Sequence, residues 1–161
     1  MTQTPRDPNF ERRVRASFER QAAMATFGAT LARVAPGEVV IELPFRFELT
    51  QQHGFLHAGI ITSLMDSACG YAALSLMEPG AAVLSVEFKV NLLAPARGGR
   101  FGASGRVVRA GRTVTVVSGE FRVLEAAGEG QSTATQDTAG ALVAMMTGTM
   151  MAVRDRPGLV D

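Results

Sequence analysis

The chain contains very little cysteine and very little lysine. Cys69 is the only cysteine among 161 residues, so no internal disulfide and no zinc-binding cysteine cluster can form. Lys89 is the only lysine, and the other basic side chains, apart from two histidines, are arginines. The formal net charge is only +1, which argues against a general nucleic-acid-binding protein.

No stretch of the sequence is typical of a targeting or membrane-spanning segment. Residues 1–8 lack the apolar core of a signal peptide. Residues 59–77 are about long enough to cross a bilayer, but they contain Asp66, three serines, a threonine and two glycines. We therefore expect a cytoplasmic protein with no membrane partner.

The composition is that of a folded globular domain. Hydrophobic residues make up 47% of the chain and charged residues 19%, and this length suffices for one domain with its own core. We expect a single domain over residues 1–161, with a helical extension at residues 1–24 and a loose tail at residues 154–161.

The spacing of apolar residues predicts the secondary structure. Phe10, Val14 and Phe18 recur at intervals of four, which indicates an amphipathic helix over residues 8–23 that lies across the body of the fold. Residues 59–77 are apolar enough for a mostly buried helix, and a proline–glycine pair would end it. Turn signals and β-branched residues predict strands at residues 26–35, 38–43, 85–92, 100–109, 112–124 and 142–153.

The order of these elements indicates an α+β fold. Short connections between strands predict an antiparallel sheet, and the long helix is too apolar for a surface position. A curved antiparallel sheet wrapped around one long central helix satisfies both conditions. Residues 125–140, rich in glycine, serine, threonine and alanine, are predicted to form a mobile loop.

Asp66 is the most informative residue of the sequence. It is the only acidic side chain between Glu48 and Glu78, and it lies inside the helix predicted at residues 59–77. A carboxylate in such a place loses hydration at a cost in free energy. Acids in perturbed environments are concentrated at functional sites, so Asp66 is a candidate catalytic residue. The alternative is an ordinary solvated charge.

Four segments carry a pattern that is known from a family. They are Gln51–Gly59, which reads Gln-Gln-His-Gly-Phe-Leu-His-Ala-Gly, then Leu64–Ala72 around Asp66, then Leu84–Arg97 and Arg109–Thr113. Together they resemble the hotdog-fold acyl-CoA thioesterases, in particular the PaaI-like (phenylacetyl-CoA thioesterase) group. The resemblance implies the hotdog fold and hydrolysis of a medium- or long-chain or aromatic acyl-CoA to the free acid and CoA.

The resemblance also implies catalytic roles. Asp66 would act as a general base on water or as a nucleophile on the thioester carbonyl. The backbone N–H of Ala58, which replaces the first glycine of the usual His-Gly-Gly motif, would polarise that carbonyl, with Gln51 beside it. Ser85 would hold the water. His57 is either catalytic or a loop residue whose ring satisfies backbone groups at the helix start.

Strand alternation makes a different prediction for Ser85. In residues 85–92, Ser85 alternates in phase with Glu87 and Lys89, whereas Phe88 and Val90 occupy the other face. Ser85 is therefore expected on a polar face, away from an apolar pocket.

Basic residues near two predicted turns are candidates for binding the CoA phosphates. Guanidinium groups bind phosphate oxygens bidentately, and Arg109 and Arg112 flank a tight turn. The alternative is a solvated strand face. The candidate set for substrate and CoA is Gly59, Arg97, Arg109, Gly111, Arg112 and Thr113.

The spacing of Ala58 and Asp66 predicts that the site is shared between two chains. Eight residues of helix separate them by about 12 Å, so one carbonyl cannot contact both. A two-fold homodimer with antiparallel central helices would place each helix start near the middle of its neighbour. Valine on both faces of residues 113–117 indicates that both sheet faces are partly covered, as in a homotetramer; dimer and tetramer stay open.

Neither a cofactor nor a metal is expected. The spacing of His53 and His57 suits a metal only on a helix, and Gly54 disfavours a helix there. Two other functions stay open. One is a hotdog-fold enoyl-CoA hydratase or dehydratase, which generally pairs Asp with His or His with Glu. The other is a non-catalytic acyl-CoA-binding module, which would not need Asp66.

Overall fold

A computed structural model of the chain describes residues 3–124 and 140–159. The segment predicted to be a mobile loop lies outside the described residues, except for Gly140. A short 3₁₀ turn, Phe47–Leu49, lies in the loop before the long helix. In chain order the elements are α1 (Phe10–Glu19), α2 (Ala22–Phe27), β1 (Thr30–Ala35), β2 (Glu38–Pro44), α3 (Ala58–Leu74), β3 (Ala82–Leu92), β4 (Arg100–Ala110), β5 (Val114–Val123) and β6 (Leu142–Val153).

The N-terminal region forms two helices where the sequence pattern predicted one. α1 ends at Glu19 and α2 ends at Phe27; the next residue, Gly28, adopts the left-handed conformation with φ of 74°. Glycine takes this conformation without the steric penalty of a side chain and is a common helix terminator. The second helix occupies residues predicted to start a strand, so β1 begins at Thr30 instead of residue 26.

The six strands form one antiparallel sheet in the order β1-β2-β4-β5-β6-β3. Every neighbouring pair is antiparallel, including the predicted β1–β2 and β4–β5 hairpins. Among the described strands, β1 and β3 form the two edges of the sheet, and α3 contacts β2, β3, β4, β5 and β6. One helix packed against five strands of a single antiparallel sheet confirms the predicted α+β hotdog architecture.

The long helix α3 is mostly buried, as its composition predicted. Of its 17 residues, 11 are buried. It ends at Leu74, several residues before the predicted stop, and the chain continues through turns. The next residue, Ser75, accepts a hydrogen bond through Oγ from the Gly37 N–H at 2.7 Å, which ties the helix end to the β1–β2 turn. Within residues 3–124 and 140–159, no helix is long and apolar enough to cross a membrane.

Two glycines determine how closely α3 approaches the sheet. Gly105 on β4 and Gly119 on β5 are directly paired. A Cβ on Gly105 would lie 2.3 Å from the backbone carbon and oxygen of Ala68, and a Cβ on Gly119 would lie 3.0 Å from Cys69 Sγ. Because both positions lack side chains, the middle of α3 lies directly against the sheet backbone.

Arg13 fixes the N-terminal helices to the end of α3. Its guanidinium donates hydrogen bonds to the carbonyls of Leu74 (3.0 Å), Met77 (2.8 Å) and Glu78 (2.6 Å). It also pairs at 3.3 Å with the buried carboxylate of Asp7. The last carbonyls of a helix have no partners within the helix, and a cation is favourable at that end. This contact confirms that the N-terminal region lies across the fold, beside α3.

Candidate active site

A β-bulge in β3 determines the direction of Ser85. Ser85 lies opposite Met150 and Glu87 lies opposite the adjacent Thr149, so Val86 is the extra residue. Directly opposite residues point to the same face of a sheet, and Met150 is fully buried in the core. Ser85 therefore faces α3. The prediction that Ser85 shares a polar face with Glu87 is wrong, because the inserted residue shifts the alternation by one.

Asp66 and Ser85 form the central contact of the site. The Ser85 hydroxyl donates a hydrogen bond to Asp66 Oδ1 at 2.6 Å, a length typical of a hydroxyl bound to a carboxylate. Asp66 is half-buried, so it keeps access to the space in front of it. The contact joins the middle of α3 to the edge strand β3, the next element along the chain.

The thiol of Cys69 lies one helical turn beyond Asp66 and is buried. Burial raises the pKa of Cys69 to about 12, and the nearby negative charge of Asp66 contributes further. The thiol is therefore protonated at neutral pH and is not a nucleophile.

An open cavity of about 380 Å³ lies in front of Asp66. The side chains of Ser67 on α3 and Ser85 on β3 border it. Its opposite wall comes from the N-terminal helices, through Ser17, Arg20 and Gln21. These three residues are not recognisable as site residues from the sequence, because nothing local distinguishes them from the solvated face of an amphipathic helix.

His57 is the N-terminal cap of α3. Its Nδ1 accepts a hydrogen bond from the Gly59 N–H at 2.9 Å, and its carbonyl accepts from the N–H of Ile60 at 3.0 Å. A Cβ on Gly59 would lie 3.1 Å from His57 Nδ1, so glycine there makes room for the ring. Of the two roles left open for His57, the geometry matches the one in which the ring satisfies a backbone group at the helix start.

Ala58 and Gln51 border a second cavity, of about 460 Å³, at the start of α3. Ala58 is the first helical residue, and its N–H has no hydrogen-bond partner in the described ranges 3–124 and 140–159. Gln51 closes a tight turn, because its N–H donates to the Phe55 carbonyl at 2.8 Å and its Oε1 accepts from the His53 N–H. One catalytic candidate thus offers a backbone donor, and another is fixed beside it.

The structure therefore places the catalytic candidates in two groups within one chain. Asp66 and Ser85 lie at the first cavity, whereas Gln51, His57 and Ala58 lie at or next to the second. The two groups are separated by about 12 Å of helix. For the part of the chain that the structure describes, no group of three or more metal-ligating side chains is found.

The candidate CoA-binding residues also form two groups. Arg97 lies over the ring of Phe55, with the guanidinium carbon 4.6 Å from the ring centroid, and so is next to the cavity at the helix start. Arg109 and the turn residues 111–113 lie at the other end of β4, which is 11 residues long, or roughly 35 Å. One chain does not bring all of these residues to a single CoA molecule.

Comparison with known proteins identifies related sequences. The sequence model of the thioesterase superfamily matches residues 53–127. A crystal structure of a thioesterase family protein from Silicibacter pomeroyi is 48% identical and has a TM-score of 0.80, with 90% of this chain and 98% of that chain covered. The PaaI protein of E. coli, from the phenylacetic acid degradation operon, shares the fold with a TM-score of 0.74 at 20% identity, covering 90% and 94% of the two chains.

Curated relatives match over a shorter region. Human acyl-coenzyme A thioesterase 13 is 32% identical over 90 residues, which are 55% of this chain and 64% of that protein. A relative from Saccharolobus solfataricus is 42% identical over 86 residues, and the match spans 61% of its length. The matched region of the chain thus spans less than two thirds of these relatives. Their similarity nevertheless supports the predicted enzyme class, a thioester hydrolase, and the predicted resemblance to hotdog thioesterases is confirmed.

Proposed function

Because the chain belongs to the thioesterase superfamily, we propose that it hydrolyses an acyl-CoA thioester to the free acid and CoA. The observation that carries the proposal is the hydrogen bond from Ser85 to Asp66 at the edge of an open cavity. The medium- or long-chain or aromatic nature of the acyl group is part of the proposal. A related enzyme is named for its action on acyl-coenzyme A, which supports the proposal that the thioester is one of CoA.

In the proposed reaction Asp66 is the general base. The Ser85 hydroxyl donates a hydrogen bond to Asp66 Oδ1, so the serine oxygen can accept a hydrogen bond from a water molecule. That water transfers a proton to Asp66 as it attacks the thioester carbon. The tetrahedral intermediate then collapses, the C–S bond breaks, and CoA leaves as a thiolate that takes up the proton. The alternative, attack by the Asp66 carboxylate itself, would form an anhydride that water then cleaves.

The start of α3 supplies the oxyanion site in this proposal. The Ala58 N–H is available, and the positive end of the helix dipole adds to its effect. A backbone donor that is fixed before the reaction stabilises the developing negative charge without reorganisation. Alanine donates the same N–H as the glycine of the usual motif, so the substitution at residue 58 does not remove this function.

We further propose that each site takes Asp66 from one chain and Ala58 from its partner. The two groups lie at different cavities of one chain, and a two-fold dimer would bring them together. β3 supports this arrangement, because it is 11 residues long and pairs only with β6 among the described strands. A long unpaired edge strand favours pairing with another chain.

A second contact between copies would explain the outer face of the sheet. Leu84, Met151 and Val114 lie directly opposite one another across β3, β6 and β5, and Val114 is 48% exposed. This apolar row supports a homotetramer rather than an isolated dimer. Light scattering on the purified protein measures the molar mass of the assembly. A monomeric protein would contradict both the shared site and the tetramer.

The described geometry favours hydrolysis over the lyase alternative. A hydratase of this fold would pair its acid with a histidine. The chain has only two histidines: His53 lies in the loop before α3, and His57 caps the helix with its Nδ1 already engaged by Gly59. The partner of Asp66 is Ser85, which can hold water but cannot act as a general base of comparable strength.

Replacement of Asp66 tests the proposed chemistry. Asp66→Asn keeps the size of the side chain and removes the base, so we expect thioester hydrolysis to fall by about 10²–10⁴-fold in a thiol-release assay. The exposed Asp155→Asn is the matched control, because it makes the same change away from both cavities. Circular dichroism monitors the fold. Hydrolysis by Asp66→Asn at the parent rate would exclude the assigned role.

Mixed assemblies test whether the site is shared. Asp66→Asn and a variant without the residue-58 donor, Ala58→Pro, are each expected to be inactive alone. After subunit exchange, each mixed dimer contains one intact site and one doubly altered site. We expect about a quarter of the parent activity in an equimolar mixture. Proven exchange without recovery would contradict the shared site.

A further inference from the structure

The N-terminal helices contribute a side chain to the site that the superfamily motif does not include. We propose that Gln21, held in place by Ser67, determines specificity by donating a hydrogen bond to an oxygen atom on the acyl group. The ligand class is an acyl-CoA whose acyl chain carries a hydroxyl, carbonyl or carboxylate oxygen away from the thioester. This inference rests on the proposed thioesterase activity.

The orientation of Gln21 follows from one contact. Ser67 Oγ donates a hydrogen bond to Gln21 Oε1 at 3.3 Å, and Ser67 follows Asp66 directly on α3. With its oxygen engaged, the carboxamide has its Nε2 donors left over. Within residues 3–124 and 140–159, Nε2 has no hydrogen-bond partner. Gln21 borders the cavity that contains Asp66 and Ser85, so this donor is available to a group bound in that cavity.

The turn between α1 and α2 fixes the backbone of Gln21. Gln21 precedes Ala22, the first residue of α2, with φ of −80° and ψ of 91°, and its side chain makes no capping hydrogen bond. Its N–H donates to the Phe18 carbonyl at 2.9 Å, and its carbonyl accepts from the N–H of Met24 at 3.0 Å. The carboxamide is thus not required for the helix end, which leaves it for a function in the cavity.

The position of Arg97 indicates which part of the substrate enters the cavity in front of Asp66. Arg97 lies at Phe55, next to the cavity at the helix start, where it can contact CoA phosphates. In the shared site, CoA would approach from the partner's helix start and the carbonyl would lie between Ala58 and Asp66. The acyl group then continues past Asp66, along α3 toward Gly70 and Tyr71. Gln21 borders this second part of the path.

The character of the cavity wall favours an oxygen-bearing acyl group. A purely apolar chain would remove the Gln21 carboxamide from water without replacing its lost hydrogen bonds, which is unfavourable. Arg20, on the same wall, adds positive charge that favours a carboxylate. The volume of about 380 Å³ is at the small end of ligand cavities. A compact acyl group of medium length with a distal oxygen fits these conditions.

A set of matched substrates tests the inference. Hexanoyl-CoA, 6-hydroxyhexanoyl-CoA and adipoyl-CoA have the same carbon count and differ at the distal end. For the parent protein we expect kcat/KM to be about 10–100-fold higher for at least one oxygenated substrate than for hexanoyl-CoA. In Gln21→Met, which keeps the length and removes the amide, that ratio should fall to about 1. A preference for adipoyl-CoA that Arg20→Met removes identifies a carboxylate, whereas a preference for 6-hydroxyhexanoyl-CoA that Arg20→Met leaves intact identifies a neutral oxygen.

The outcomes separate this inference from the proposed function. No hydrolysis of any acyl-CoA by the parent protein contradicts the thioesterase itself. Hydrolysis with no preference among the three substrates overturns the role of Gln21. So does an equal drop for all three substrates in Gln21→Met, which would indicate a general binding or folding defect. Ser67→Ala removes the hydrogen bond that orients the Gln21 carboxamide but keeps the carboxamide itself. It should reduce the preference for the oxygenated substrate several-fold, and an unchanged preference would overturn the positioning role of Ser67.

Discussion

The start and the middle of α3 contribute to the proposed reaction in different ways. At the start, the chemistry comes from the backbone N–H of Ala58, and the neighbouring His57 ring maintains the helix end. In the middle, it comes from the side chains of Asp66 and Ser85, which two separate elements bring together. A backbone donor tolerates a change of side chain, whereas a pair of side chains does not. The following substitutions test this difference.

The largest expected effect in this comparison is that of Ala58→Pro. Proline lacks an N–H but is favourable at the first position of a helix. His57, with φ of −64° and ψ of 137°, already has the extended conformation required before proline. We expect kcat to fall by about 10²–10³-fold with unchanged circular dichroism. Ala58→Ser, which keeps the N–H, is the control and should retain most activity; a fully active proline variant would exclude this donor.

Ser85→Ala should have a smaller effect. It removes one hydrogen bond to a carboxylate, worth about 1.5–3 kcal/mol, so we expect kcat to fall by roughly 10–100-fold in steady-state kinetics. Ser85→Thr keeps the hydroxyl on the same strand and should retain part of the activity. Full activity in Ser85→Ala would show that Asp66 acts without this partner. The contrast between residues 58 and 85 would then be lost.

The smallest effect on the rate is expected for His57→Ala. The loss of the cap should lower the free energy of unfolding by about 1 kcal/mol, measured by urea denaturation, and change kcat only slightly. His57→Asn, which offers another capping oxygen, should restore most of the stability. A loss of activity of 10²-fold or more with unchanged stability would instead support a catalytic histidine.

Most of the fold could be predicted because it follows from local patterns. The apolar composition of residues 59–77 indicated the buried helix, and turn signals indicated the antiparallel strands. The helix break at Arg20 was missed, because residues 22–27 are compatible with either structure and tertiary contacts decide between them. The capping role of His57 could not be separated from a catalytic role by sequence alone, since a histidine before a helix is compatible with both.

The arrangement of the candidate site could not be predicted from the sequence. Alternation gave the wrong face for Ser85, because a bulge at Val86 depends on pairing with β6 and leaves no mark in the sequence. The wall formed by Ser17 and Gln21 could not be predicted either, because it requires the position of α1 and α2 against α3. Long-range packing, rather than residue type, decides both features.

The absence of side chains at two sheet positions beneath α3 affects how damaging mutations there should be interpreted. Gly105 and Gly119 lie on the sheet, and neither contributes an atom to the proposed chemistry. A single added methyl at Gly105 would nevertheless force α3 away from the sheet. Asp66 would then move out of hydrogen-bonding distance of Ser85. An inactive variant at this position would resemble one that had lost a catalytic residue, although the actual defect would be an increased distance between helix and sheet.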